Sequence, residues 1–155
     1  MLGMVFGLSA CATKFRSYNG PEVTQVQIHK ADRKLYLFNE DRVLKSYDVA
    51  LGFAPVGPKQ FEGDGKTPEG LYYITHRNPQ SKYHLSLGIS YPNEQDIAYA
   101  KAAGQKPGGD IFIHGGPNTK VSERDWTFGC IAVTDREIEQ IYAMVNPGTP
   151  IYLLP

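Results

Sequence analysis

The sequence predicts one mostly β domain with two short helices, a β-rich α+β fold, and three observations carry that prediction. Apolar and polar residues alternate with period two in short segments separated by Gly, Pro and Asn, the pattern of half-buried strands between turns. A content of 16 Gly, 11 Pro, 10 Tyr and 7 Phe suits loops and strands better than a helical bundle. Only two segments carry helix start and stop signals. At 155 residues, without an internal repeat or low-complexity run, the chain is long enough for a single core.

Residues 23–29, 34–38 and 42–51 read as three strands of an antiparallel meander, the last following the turn Asn39-Glu40-Asp41. A Gly- and Pro-rich loop covers 52–70, a length that marks a functional or mobile segment. Strands follow at 71–75 and 83–90. A short helix over 94–103 is opened by Asn93 and closed by Gly104. Residues 111–114 form a compact apolar strand and 130–133 another buried segment. Thr134-Asp135-Arg136-Glu137 is a capping box, and the helix it starts places Ile138, Ile141, Tyr142 and Val145 on one face. Asn146-Pro147-Gly148 stops that helix before a last strand, 149–154.

The 16 Lys and Arg balance the 16 Asp and Glu, with no basic block, so the chain offers no field to hold a polyanion and nucleic acid is excluded as a partner. At the N-terminus a short apolar run ends in Leu8-Ser9-Ala10-Cys11, too short to span a bilayer. It resembles a bacterial lipoprotein signal that is cleaved before a lipidated Cys11, although no Lys or Arg precedes the run. Residues 1–22 are then anchor and polar tether, and 23–155 the globular domain. A lipidated Cys11 leaves Cys130 unpaired in an oxidising compartment, where an idle thiol is a liability.

Two segments carry the chemistry: Ile111-Phe112-Ile113-His114-Gly115-Gly116 and Thr127-Phe128-Gly129-Cys130-Ile131-Ala132. A histidine at a strand end before glycines is rigidly held yet opens onto a loop, where a base must sit. Gly129, lacking a Cβ, would let a substrate carbonyl approach Cys130 and leave the N–H groups of Gly129 and Cys130 free for an oxyanion. A thiol beside an imidazole is expected to be largely thiolate at neutral pH. Against this stands the ordinary alternative that a cysteine in an apolar run is an inert core residue.

These residues resemble the L,D-transpeptidase catalytic domain, whose signature is His-Gly, a loop, then Ser/Thr-His-Gly-Cys. His114, Gly115, Thr127, Gly129 and Cys130 match it; Gly63-Asp64-Gly65-Lys66-Thr67-Pro68-Glu69-Gly70, His84-Leu85-Ser86 and Ser90-Tyr91-Pro92-Asn93 resemble its upstream segments. The likeness covers about 23–155. Phe128 stands where the signature has a second histidine and Ala132 where an arginine is common, departures similar to a branch that includes enzymes releasing protein from the cell wall. The resemblance implies a β-sandwich or barrel, no cofactor and no metal. It implies peptidoglycan stem peptides as substrate, with a wall-attached lipoprotein as a further partner. Cys130 would be the nucleophile and His114, oriented by a carbonyl at Gly115 or Gly116, the base; Thr127, Phe128, Tyr91 and His84 would contact substrate. Cys11, followed by Ala12, would anchor the chain to the outer membrane, facing the periplasm.

Other readings are weaker. Gly65-Lys66-Thr67 is not a phosphate loop, because Gln60 stands where its first glycine belongs and Pro68 opposes the helix that must follow. A zinc amidase lacks support, since His29, His76, His84 and His114 form no H-E-x-x-H or close pair. A cysteine hydrolase of the same fold, and a non-catalytic wall-binding lipoprotein, remain open.

Overall fold

A computed structural model describes residues 13–116 and 125–155. Among the described residues there are eight strands and two helices: β1 (Gln25–His29), β2 (Lys34–Asn39), β3 (Arg42–Asp48), β4 (Gly70–Asn78), β5 (Ser86–Ile89), α1 (Glu94–Ala102), β6 (Phe112–His114), β7 (Ile131–Ala132), α2 (Asp135–Met144) and β8 (Pro150–Leu154). Cys11 and part of the polar loop between His114 and Cys130 fall outside the described residues.

The strands form one sheet in the order β3-β2-β1-β8-β4-β5-β6-β7. The expected meander is present: β1 pairs antiparallel with β2, and β2 with β3. Period-two alternation does the sorting, sending Val26 and Ile28, Leu35 and Leu37, and Tyr72 and Ile74 into the core. Pairing beyond the meander was not readable locally. β8 returns parallel to β1 and inserts between β1 and β4, and β7 lies parallel to β6.

The chain past β3 leaves the meander at Asp48 instead of continuing to residue 51 as expected. Ala50 and Gly52 bridge to Ala132 and Thr127, so the two ends of the sheet meet and it curls toward a barrel. All four residues of β5 are buried, and Ile138, Ile141 and Met144 of α2 supply buried contacts on this side of the fold. Both capping-box bonds of Thr134 and Glu137 are made, which fixes the start of α2 next to the end of β7. β4 runs to Asn78, past its expected end. The next strand starts only at Ser86, because His84 takes φ 73° and the Leu85 N–H turns back to the Tyr83 carbonyl.

The long loop 52–70 is pinned by two buried lysines. The Lys30 ammonium, 2% exposed, donates to the carbonyls of Gly57 and Thr67 and to Glu69; Lys59, 5% exposed, donates to the Phe61 carbonyl and to Asp64. Asp64 also accepts the backbone N–H groups of Gln60, Phe61 and Lys66. These bonds hold its carboxyl below the usual range against a burial that acts the other way. The segment 14–21, read from sequence as a tether, lies against the body: Arg16 pairs with Glu139 of α2, and Tyr18 packs on the core.

Candidate active site

His114 ends β6, held between β5 through Ser86 and β7 through Ala132. Its residue is only 2% exposed. Nδ1 lies 2.7 Å from the Gly115 carbonyl, which can only accept, so Nδ1 carries the proton and Nε2 is left with a free lone pair. Gly115 has no room for a side chain, since a Cβ would lie 2.7 Å from both Asp135 Oδ1 and Ile138 Cγ2. Asp135 in turn accepts the Gly116 N–H at 2.6 Å. The start of α2 thus fixes the turn whose carbonyl orients the imidazole. Tyr83 stacks on the ring at 4.3 Å with a 26° interplanar angle, and Trp126 meets its edge at 5.8 Å.

Cys130 stands in a turn organised by Thr127. The Thr127 backbone bonds Leu51 and Phe53, while its hydroxyl donates to the Cys130 carbonyl at 2.7 Å and accepts the Gly129 N–H at 3.1 Å. The Gly129 N–H is therefore engaged by Thr127, while among the described residues the Cys130 N–H, the other expected oxyanion donor, has no partner. Gly129 is required for another reason. Its φ is 132°, and a Cβ would come within 2.6 Å of the Lys66 carbonyl, where the pinned loop passes beneath the turn.

The Cys130 thiol is partly exposed and donates to the Asp110 carbonyl at 3.4 Å. Burial pushes it up from its ordinary value; the Phe112 N–H lowers it, Asp110 raises it and Lys59 lowers it. Burial also pushes His114 down, opposed by the Gly115 carbonyl. Both shifts act toward the neutral forms of the two groups, opposite to the pull toward thiolate expected of a thiol beside an imidazole.

His114 and Cys130 line one cleft of about 470 Å³, with Tyr83, Ser86, Asp110 and Trp126 among its walls. Thr127 and Phe128 line it as well. Phe128 is 77% exposed and meets Phe53 edge-on at 5.5 Å, forming an aromatic rim. Tyr91 and His84 are not brought there. Tyr91 is 4% exposed, packs on Tyr72 and donates its hydroxyl to the Pro107 carbonyl at 2.7 Å, so its polar end is spent inside the fold. His84 Nε2 meets Glu139 at 2.9 Å on the α2 side. The aromatic bracket of Tyr83 and Trp126 around His114 was missed, since no sequence spacing relates these three positions. Among the described residues no group of three or more His, Cys, Asp or Glu side chains is placed to hold a metal ion.

A curled sheet presents an oriented histidine and a cysteine at one cleft, the two side-chain types that thiol-based acyl transfer requires. The chain belongs to the family of the YkuD L,D-transpeptidase catalytic domain, whose model matches residues 24–153. YafK of Escherichia coli (strain K12) is 34% identical over 127 residues, 78% of this chain and 46% of YafK. The crystal structure of Pgp2, a helical cell shape determining protein of Campylobacter jejuni, superposes with a TM-score of 0.66 at 27% identity over 88% of this chain and 49% of Pgp2. An L,D-transpeptidase of Mycobacterium smegmatis shares the fold, with a TM-score of 0.60 at 14% identity over 86% of this chain and 59% of its own. The chain spans slightly under half the length of the curated relative YafK.

Proposed function

We propose that this domain is a peptidoglycan-modifying L,D-transpeptidase that works through a thioester on Cys130. The observation that carries the reading is the Nδ1 lock on His114, which leaves Nε2 as the one basic nitrogen of a ring sharing a cleft with an accessible thiol. Proton transfer accompanies attack: Nε2 takes the Sγ proton as sulfur bonds to the carbonyl carbon preceding the terminal D-amino acid of a stem peptide. The Cys130 N–H, unpartnered among the described residues, is left to donate to the developing oxyanion. As the C–N bond breaks, the imidazolium returns its proton to the leaving amine. The thioester then passes to an acceptor amine, which forms a cross-link or attaches a protein, and the thiol is regenerated. Such a substrate places the enzyme in the cell envelope, and a lipid on Cys11 would hold it at the membrane facing the wall.

A second reading has specific support. Phe128 and Ala132 depart from the signature where a histidine and an arginine are usual, which favours water as the acceptor and peptide or lipoprotein-to-wall bonds as substrates. Chromatography of tetrapeptide muropeptides incubated with enzyme separates the two. Cross-linked or amine-bearing product with an added acceptor amine establishes transfer; shortened peptide alone establishes hydrolysis, and intact tetrapeptide in every arm removes the substrate assignment.

A further inference from the structure

The segment 79–84 forms one wall of the cleft: Gln80, Ser81, Lys82 and Tyr83 all line it, and Tyr83 lies flat on the His114 ring. Its local bonds are short-range, from the Gln80 N–H back to Oδ1 of Asn78 at the end of β4 and from the Tyr83 N–H to Ser81 Oγ. Its backbone is under load at His84, a non-glycine residue held at φ 73°. A bond from the Gly115 N–H to the Tyr83 carbonyl ties it to the catalytic strand. A further tie comes from the other end of the sequence. Lys14 Nζ donates to the Pro79 carbonyl at 2.6 Å and to the His84 carbonyl at 3.0 Å, so one ammonium joins the two ends of the segment. Two residues later Arg16 reaches Glu139 at 2.6 Å, and the same carboxylate takes His84 Nε2 at 2.9 Å. Phe15 between them lies 6.2 Å from Tyr142 of α2. The N-terminal strap thus grips the loop through the carbonyl and the side chain of one strained residue.

We infer that Lys14 is a positioning residue: its ammonium is a clasp that keeps the 79–84 wall closed, with Tyr83 seated on His114. The inference rests on the proposed roles of Cys130 and His114. Without the clasp, the wall opens at the Pro79–His84 mouth, and substrate must order it on binding. Apparent affinity then falls by the fraction of molecules still closed, so the loss is carried by KM more than by kcat.

The test compares the full chain, Lys14→Met and Lys14→Arg by steady-state turnover of a tetrapeptide muropeptide and by amide hydrogen exchange over 79–84. Lys14→Met keeps the apolar stem and is expected to raise KM about tenfold, leave kcat within about twofold and speed exchange in the segment. Lys14→Arg, whose guanidinium can also bridge two carbonyls, is expected to recover most of both. Wild-type KM and exchange in Lys14→Met would overturn the clasp, as would Lys14→Arg behaving no better than Lys14→Met. If the wild type turns nothing over while exchange still rises in Lys14→Met, the clasp stands and the proposed reaction falls.

Discussion

Gly129→Ala separates the structural demands on the turn that carries Cys130. At φ 132° an L side chain is strained, at a cost of about 1–3 kcal/mol. The new Cβ would also press to 2.6 Å on the Lys66 carbonyl, a backbone atom of a loop pinned by Lys30, Lys59 and Asp64 that cannot swing aside as a flexible side chain would. Relieving that contact adds about 1–2 kcal/mol, in the range of other overpacking substitutions. Gly63→Ala is the internal control, with φ 81° and open space around the added Cβ, so it meets the strain alone. With an m-value of about 2 kcal/mol per M, urea denaturation should show a midpoint about 1–2.5 M lower for Gly129→Ala and about 0.5–1.5 M lower for Gly63→Ala, the difference being the Lys66 contact. Alkylation of Cys130 by iodoacetamide should change rate only in Gly129→Ala, because only there does the turn shift. Equal midpoints for the two variants, or a wild-type alkylation rate in Gly129→Ala, would refute the account of this turn.

Further predictions concern ionisation. Burial lowers the His114 pKa, and protonation removes the Nε2 lone pair, so the acid limb of kcat/KM for the free enzyme should have its midpoint below the 6.5 of an ordinary histidine; a midpoint above it would mean that the ring is not held in a buried site. Asp64, with its folded-state pKa lowered, adds stability that is present above its unfolded value near ~3.9 and is lost as pH falls through the folded one. Asp64→Asn should therefore cost about 2 kcal/mol at neutral pH, by urea denaturation, and the gap to wild type should close in acid; a pH-independent gap would contradict the charge-based role.

The legible parts of the fold are those written in local periodicity. β1 and β2 follow from strict alternation, and α2 from Thr134, Glu137 and the spacing of Ile138 and Ile141. The parallel return of β8 beside β1 could not be read, because partner choice depends on the curl of the whole sheet. Lys30 and Lys59 carry no sign of burial in a side-chain type that is almost always exposed, so the pinning of a loop that reads as functional or mobile is not legible. At the site, His114 and Cys130 stood out as strand-end residues flanked by glycine. Tyr91 was drawn toward the cleft by resemblance, whereas its ring belongs to the core. The engagement of the Gly129 N–H by Thr127 is a side-chain bond two residues apart that no composition reveals.

The most direct measurement is intact-mass spectrometry with peptide mapping after incubating wild type and Cys130→Ala with tetrapeptide muropeptides. A mass increase equal to the muropeptide less its terminal D-amino acid, mapped to Cys130 and absent from Cys130→Ala, is the predicted result. An adduct that persists in Cys130→Ala, or turnover by that variant, would contradict it.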